Sequence, residues 1–224
     1  MSRQILLQGV SKVYESNGLP STALHEVTLG VDQGEFTVLA GPSGSGKSTI
    51  LHLIGALDQP SQGRVWVVGQ DLAELSNTEL SKFRLNKIGF VFQAYNLIPV
   101  LTAQENVEYP LLLQGLSSAE RKKRSDELLE KVGLKDHAYK RPTQMSGGQQ
   151  QRVAVARALA TKPEIILADE PTANLDSQTG ELLIELFAQL NKEYNTTFVM
   201  ASHDPEVINQ AKRVVKLKDG RVVL

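Results

Sequence analysis

Hydrophobic positions fall into three regimes along the chain. In the first, the runs ILLQGVSKVY, ALHEVTLGV and FTVLAG carry alternating or continuous apolar residues bounded by Gly, Pro and Ser. Each predicts a β-strand. RVWVVG and IGFVFQ are two more strand-like runs. After FTVLAG the pattern predicts a helix over 47–57, stopped by Asp58-Gln59-Pro60. The second regime, roughly 94–156, is mainly helical. There Ser117 and Glu120 have capping-box spacing and open a charged helix that ends near Gly133. The basic run 121–124 within it reads as a solvated helix face. After Lys162-Pro163 the β/α alternation resumes, with EIILAD, TTFVMAS and RVVKL as strands. No internal repeat, low-complexity tract or flexible linker intervenes. The expected organisation is one α/β core with a helical insertion and an N-terminal antiparallel portion.

Composition narrows the partners. The chain has 224 residues, enough for one sizeable core or one domain with an inserted subdomain. At 41% hydrophobic and 22% charged residues it is ordinary for a globular protein. A net charge of −1 gives no broad basic field, which argues against nucleic acid or an anionic membrane as the direct partner. The absence of cysteine excludes disulfides and thiolate metal sites and fits a reducing compartment. The N-terminal apolar stretch is too short for a signal-peptide core, and no run approaches the length of a membrane span. Work at a membrane is therefore expected from its surface.

Four strand ends carry chemistry. Gly41, Pro42, Ser43, Gly44, Ser45, Gly46, Lys47, Ser48 and Thr49 read GPSGSGKST, between a strand and a helix. This is the phosphate-loop pattern in the context it requires. Glycines let backbone N–H groups turn inward around phosphates, and the helix N-terminus adds a favourable dipole. Lys47 is expected on the β- and γ-phosphates and Ser48 on Mg²⁺, so ATP and Mg²⁺ are the expected cofactors. IILADE is an apolar strand ending in two acids. Asp169 is placed to hold Mg²⁺, and Glu170 to polarise an attacking water. His203 follows TTFVMAS, and Gln93 closes IGFVFQ. Each sits where ligands bind in open α/β sheets, with reach to the γ-phosphate, the water or the metal.

Met145, Ser146, Gly147, Gly148 and Gln149 read MSGGQ, followed by QQRVAVARAL. This closely resembles the signature of ATP-binding cassette (ABC) ATPases. The other motifs fall in that family's order: Tyr14 before the phosphate loop, Gln93, the signature, Asp169-Glu170, the ANLD stretch ending at Asp176, and His203. The resemblance covers essentially the whole chain. It implies a P-loop NTPase (RecA-like) core at 1–93 and 157–224, with a helical signature subdomain at 94–156. It implies that Tyr14 stacks on adenine, and that Ser146, Gly147, Gly148, Gln149 and Asp176 contact nucleotide across a head-to-tail homodimer closed by ATP. Met145 stands where Leu is usual, and Asn174 lies in a stretch that often reads SALD.

LTAQENVEYPLLLQG, ADEPTANLD and the segment KVYESNGLPSTA are similar to the lipoprotein-release and macrolide-efflux ATPases and the related cell-division cassette. That resemblance implies a chain lying on the cytoplasmic face of a membrane, driving transport, extrusion or mechanotransmission through a separate integral permease. A cassette that regulates cell-wall hydrolases through a membrane partner is the alternative. Substrate would be met only through the membrane partner. The surface at 94–101 is expected to dock a cytoplasmic helix of that partner.

Overall fold

The computed structural model describes residues 3–16 and 19–223. The segment KVYESNGLPSTA crosses Asn17 and Gly18, which lie outside the described residues, as do Met1, Ser2 and Leu224. The alternating N-terminal runs form long strands β1 (Arg3–Ser16) and β2 (Leu19–Asp32), paired antiparallel. With β4 (Gln62–Val67) and β5 (Gln70–Asp71) they make a four-stranded sheet in the order β2-β1-β4-β5. The continuous apolar runs make a second sheet instead. It contains β3 (Phe36–Ala40), β6 (Ile88–Phe92), β7 (Ile165–Asp169), β8 (Thr197–Ser202), β9 (Arg213–Lys218) and β10 (Arg221–Val223), in the order β10-β9-β3-β8-β7-β6. All pairings within β9-β3-β8-β7-β6 are parallel, and only the β9–β10 pair is antiparallel.

The parallel strands read as unbroken hydrophobic runs because both of their faces are covered. Alternate residues divide between two cores. Phe36, Val38, Ile166, Ala168, Phe198 and Met200 face one, and Leu39, Ile165, Leu167, Val199 and Ala201 face the other. The first core is closed by α3 (Ala103–Leu113), α4 (Ser118–Lys131), α5 (Gly147–Ala160) and α6 (Ser177–Tyr194). Phe198 stacks on Phe36 and tilts against Phe187, each at 5.6 Å between ring centroids. The second core is closed by the antiparallel sheet, by α1 (Lys47–Ile54) and by α2 (Asn77–Lys87). A short helix α7 (Pro205–Gln210) follows β8.

Three local readings change. The helix expected over 47–57 ends at Ile54, because Gly55 caps it and Ala56 turns the chain at φ 54°. The N–H groups of Leu57 and Asp58 then both donate to the His52 carbonyl. Helix α2 was not expected at all, although Ser76 and Glu79 make a full capping box at its start. It buries only Leu80 and Phe83, too narrow a stripe to register as periodicity. The helical stretch read as 94–156 starts its first α-helix at Ala103 and continues through α5 to Ala160.

Sheet register sets the site. Ala40 lies opposite Ser202, Asp169 opposite Ala201, and Phe92 opposite Asp169. The carboxyl ends of β3, β8, β7 and β6 thus form one row. The phosphate loop, His203, Glu170 and Gln93 leave the sheet from that row.

Candidate functional site

The loop at Gly41–Thr49 cannot be built from ordinary residues. Gly44 and Gly46 adopt φ of 77° and 99°, which L-residues rarely occupy. A Cβ on Gly41 would lie 2.3 Å from the Leu217 carbonyl oxygen. The loop feeds α1, whose N-cap Gly46 supplies no side-chain hydrogen bond. Helices α2 to α6 all start on a side chain that caps them. The first-turn N–H groups of α1 therefore remain available to an outside acceptor, and a helix N-terminus favours an anion.

Lys47 is buried at 4% exposure, and its Nζ donates to the carbonyl oxygens of Gly41 (2.8 Å) and Pro42 (3.0 Å). The same Nζ lies 3.5 Å from Glu170 Oε1. Ser45 Oγ is buried in the loop without a hydrogen-bond partner. Ser48 Oγ donates to Asp169 Oδ1 at 3.0 Å. Burial pushes the Asp169 carboxyl above its usual range, and the Ser48 hydrogen bond and the charges of His52 and Lys47 only partly oppose this.

Glu170 occupies the left-handed region at φ 45°, uncommon for a residue with a Cβ, and costs about 1–3 kcal/mol there. Its N–H is pinned to the Ala201 carbonyl at 3.0 Å. His203, exposed at the end of β8, brings Nδ1 to 3.2 Å from Glu170 Oε1. One carboxylate oxygen thus lies between an ammonium and an imidazole.

These residues suit a magnesium nucleotide triphosphate. The glycine loop, the uncapped helix start and the buried ammonium fit phosphates, and the paired Ser48 and Asp169 oxygens fit a hard cation. Among the described residues no group of three His, Cys, Asp or Glu side chains could hold a metal alone. Magnesium characteristically keeps few protein ligands and takes substrate phosphate oxygens for the rest.

Among the described residues, the remaining candidates make no hydrogen bond to that cluster. Gln93 follows β6 as an exposed residue, and its backbone carbonyl accepts from Asn174 Nδ2 at 3.0 Å. Ser146 caps α5 through a capping box with Gln149, whose side chain also meets His137. Among the described residues no hydrogen bond joins Ser146, Gly147, Gly148 or Gln149 to the phosphate loop. Gly147 and Gly148 are obligatory locally: a Cβ on them would lie 2.6 Å from the Tyr95 hydroxyl oxygen and 2.5 Å from Thr179 Cγ2. Asp176 caps α6, and the Thr179 N–H and hydroxyl hold its carboxyl below the usual range. Tyr14 stands half-exposed on β1 and donates to Asp58 Oδ2 at 2.9 Å.

Sequence reasoning missed two connections. Arg157, half-buried on α5, donates to the carbonyls of Tyr95 and Asn96, both at positive φ, and so ties the signature helix to the turn after Gln93. Asn174 adds a second tie to Gln93, where the sequence showed only a departure from SALD. Asn96 is a residue type that tolerates left-handed backbone, but Tyr95 gives no such signal, so a turn with two successive left-handed residues was not legible.

A family profile described as ABC transporter matches residues 24–173. The lipoprotein-releasing system ATP-binding protein LolD 1 of Rhodopseudomonas palustris is 45% identical over 99% of this chain and 99% of its own length. The macrolide export ATP-binding/permease protein MacB of Photorhabdus laumondii is 44% identical over all of this chain but only 34% of its own length. Among solved structures, the post-hydrolysis dimer of the ATP-binding cassette MJ0796 bound to ADP and Pi superposes with a TM-score of 0.91. That cassette, from Methanocaldococcus jannaschii, is 48% identical in the alignment, which covers 98% of this chain and 97% of the other. With a profile over most of the chain and relatives of this identity along its full length, the protein belongs to the ABC transporter family, as an ATP-binding domain of it.

Proposed function

We propose that this chain binds and hydrolyses Mg·ATP at a site shared by two copies packed head-to-tail, and that closing the pair drives a separate membrane permease. The observation that carries the reading is the single cluster of Lys47, Ser48, Asp169, Glu170 and His203 at the carboxyl edge of the sheet. In this reading Lys47 leaves the Gly41 and Pro42 carbonyls to donate to the β- and γ-phosphates. Ser48 and Asp169 hold Mg²⁺, which neutralises charge developing on the phosphates. Glu170 orients or deprotonates the attacking water, and His203 fixes the Glu170 carboxylate and reaches the γ-phosphate. Gln93, at the end of β6, serves the same site by reaching Mg²⁺ or the attacking water. Residues 1–93 and 157–224 form the nucleotide core, and 94–156 the signature subdomain.

The head-to-tail pair is supported by the separation of the signature from its own phosphate loop, and by the dimeric MJ0796 cassette with its ADP and Pi. A lipoprotein-release or macrolide-efflux type of role is supported by the identity to LolD and MacB sequences. No described helix is long and apolar enough to cross a membrane. The likeness to LolD and MacB sequences supports a chain that works from the cytoplasmic face of a membrane, with substrate selection left to the permease. Val100, within 94–101, and Tyr109, Leu112 and Leu113, on α3, are exposed apolar residues that suit contact with that partner, whereas Leu97 packs into the chain's own core. Size-exclusion chromatography of Glu170→Gln with ATP tests the proposal. A nucleotide-dependent dimer is expected, and a monomer at high protein concentration would refute the shared site.

A further inference from the structure

Tyr14 is held by two neighbours that the phosphate chemistry does not use. Its hydroxyl donates to Asp58 Oδ2 at 2.9 Å. Lys12, two residues earlier on the same face of β1, donates to Asp58 Oδ1 at 2.6 Å and to the Gln59 carbonyl at 2.8 Å. The Lys12 ammonium also lies 4.8 Å from the centre of the Tyr14 ring, over one of its faces. Burial alone would push the Asp58 carboxyl up, but hydrogen bonds from Lys12, the Gln59 N–H and Tyr14 together hold it below its usual range. The ring is thereby tied to the segment that leaves α1.

We propose that Asp58, braced by Lys12, is a positioning residue that fixes the Tyr14 ring so that its uncovered face is ready for the adenine base. This rests on the reading of Tyr14 as the adenine platform. An exposed aromatic on a strand near a hairpin is otherwise free to change rotamer, and ordering it on binding opposes affinity. Here the ordering is done before nucleotide arrives. One ring face is taken by the Lys12 cation, so a base can stack on only the other. Asp58 therefore acts on the base, while Lys47 and Ser48 act on the phosphates.

The test compares ATP with inorganic triphosphate, which carries the phosphates and no base. Dissociation constants for both, with Mg²⁺, are measured by calorimetry on the full chain and on Tyr14→Ala, Tyr14→Phe, Asp58→Ala and Asp58→Asn. Tyr14→Ala is expected to weaken ATP by about tenfold or more and to leave triphosphate unchanged. Tyr14→Phe and Asp58→Ala each remove the hydroxyl–carboxylate bond and are expected to weaken ATP by about three- to tenfold, with triphosphate unchanged. The double variant should be no worse than the single ones, since both delete one interaction. Asp58→Asn keeps an acceptor for the hydroxyl and should recover most of the affinity. If Asp58→Ala weakened triphosphate as much as ATP, Asp58 would only be supporting α1, and positioning would be refuted. If Tyr14→Ala weakened ATP but Asp58→Ala and Tyr14→Phe did not, the adenine platform would stand and its positioning by Asp58 would fall. If Tyr14→Ala left ATP unchanged, both would fall.

Discussion

Lys47 Nζ sits 3.5 Å from Glu170 Oε1, and that oxygen lies 3.2 Å from His203 Nδ1. A lysine from the first turn of α1 and a histidine from the carboxyl end of β8 converge on one carboxylate oxygen. Without phosphates the loop carbonyls of Gly41 and Pro42 complete the ammonium's hydrogen bonds. Lys47→Ala is expected to weaken Mg·ATP by about 10- to 100-fold, matching the 1.5–3 kcal/mol of a charged hydrogen bond. Equilibrium binding of a fluorescent ATP analogue checks this, and unchanged affinity would remove the site assignment.

Glu170→Gln keeps the shape of the side chain and removes its basicity. Hydrolysis is expected to fall by about 10²- to 10⁴-fold, the usual contribution of a positioned general base. Nucleotide binding should survive, because the phosphate cradle is built from other residues. Single-turnover hydrolysis beside a binding titration separates the two. Equal losses in both would mean that Glu170 serves the fold rather than the water.

Gly148 packs its Cα face on Thr179 of α6, and an added Cβ would meet Thr179 Cγ2 at 2.5 Å. Gly148→Ala is expected to cost about 1–3 kcal/mol in urea unfolding by overpacking. Adding Thr179→Ser removes the offending methyl but keeps a hydroxyl for Asp176, and should restore most of that stability. If stability returned and ATPase did not, the glycine would be needed at the shared site for reasons beyond the α5–α6 contact.

Three helices start on capping boxes whose glutamates, Glu79, Glu105 and Glu120, are all held below the usual value of 4.5. The largest cause is the Ser76 hydroxyl for Glu79, the Thr102 N–H for Glu105 and the Ser117 hydroxyl for Glu120. A depressed folded pKa contributes stability that is present above 4.5 and lost as pH falls through the lower folded value. Thermal melts should therefore decline below pH 4.5 with a slope that the triple Glu→Gln variant makes shallower. An identical slope would assign the acid transition to other carboxylates.

Much of this was legible in the chain. The phosphate loop, the IILADE strand and TTFVMAS carry their chemistry at strand ends, so a reading of strands also located Lys47, Asp169, Glu170 and His203 at one sheet edge. Local pattern failed where stability comes from tertiary contact. Helix α2 buries two side chains on an otherwise polar surface and gave no periodic signal. The left-handed turn at Tyr95 and Asn96 is held by Arg157 from 62 and 61 residues along the chain, through bonds that no neighbouring residue announces. Asp58 was read as punctuation after a helix, yet it is the acceptor for both Lys12 and Tyr14.

The central claim is that each site needs the phosphate loop of one copy and the signature of the other. Lys47→Ala and Ser146→Arg variants, each inactive alone, can be mixed in equal amounts and assayed for ATP hydrolysis. Random pairing makes half of the dimers mixed, each with one intact composite site, so about a quarter of the native rate should return if the sites act independently. Activity that stayed at the level of the separate variants at every mixing ratio, with mixed dimers confirmed by differential tagging, would contradict the shared site.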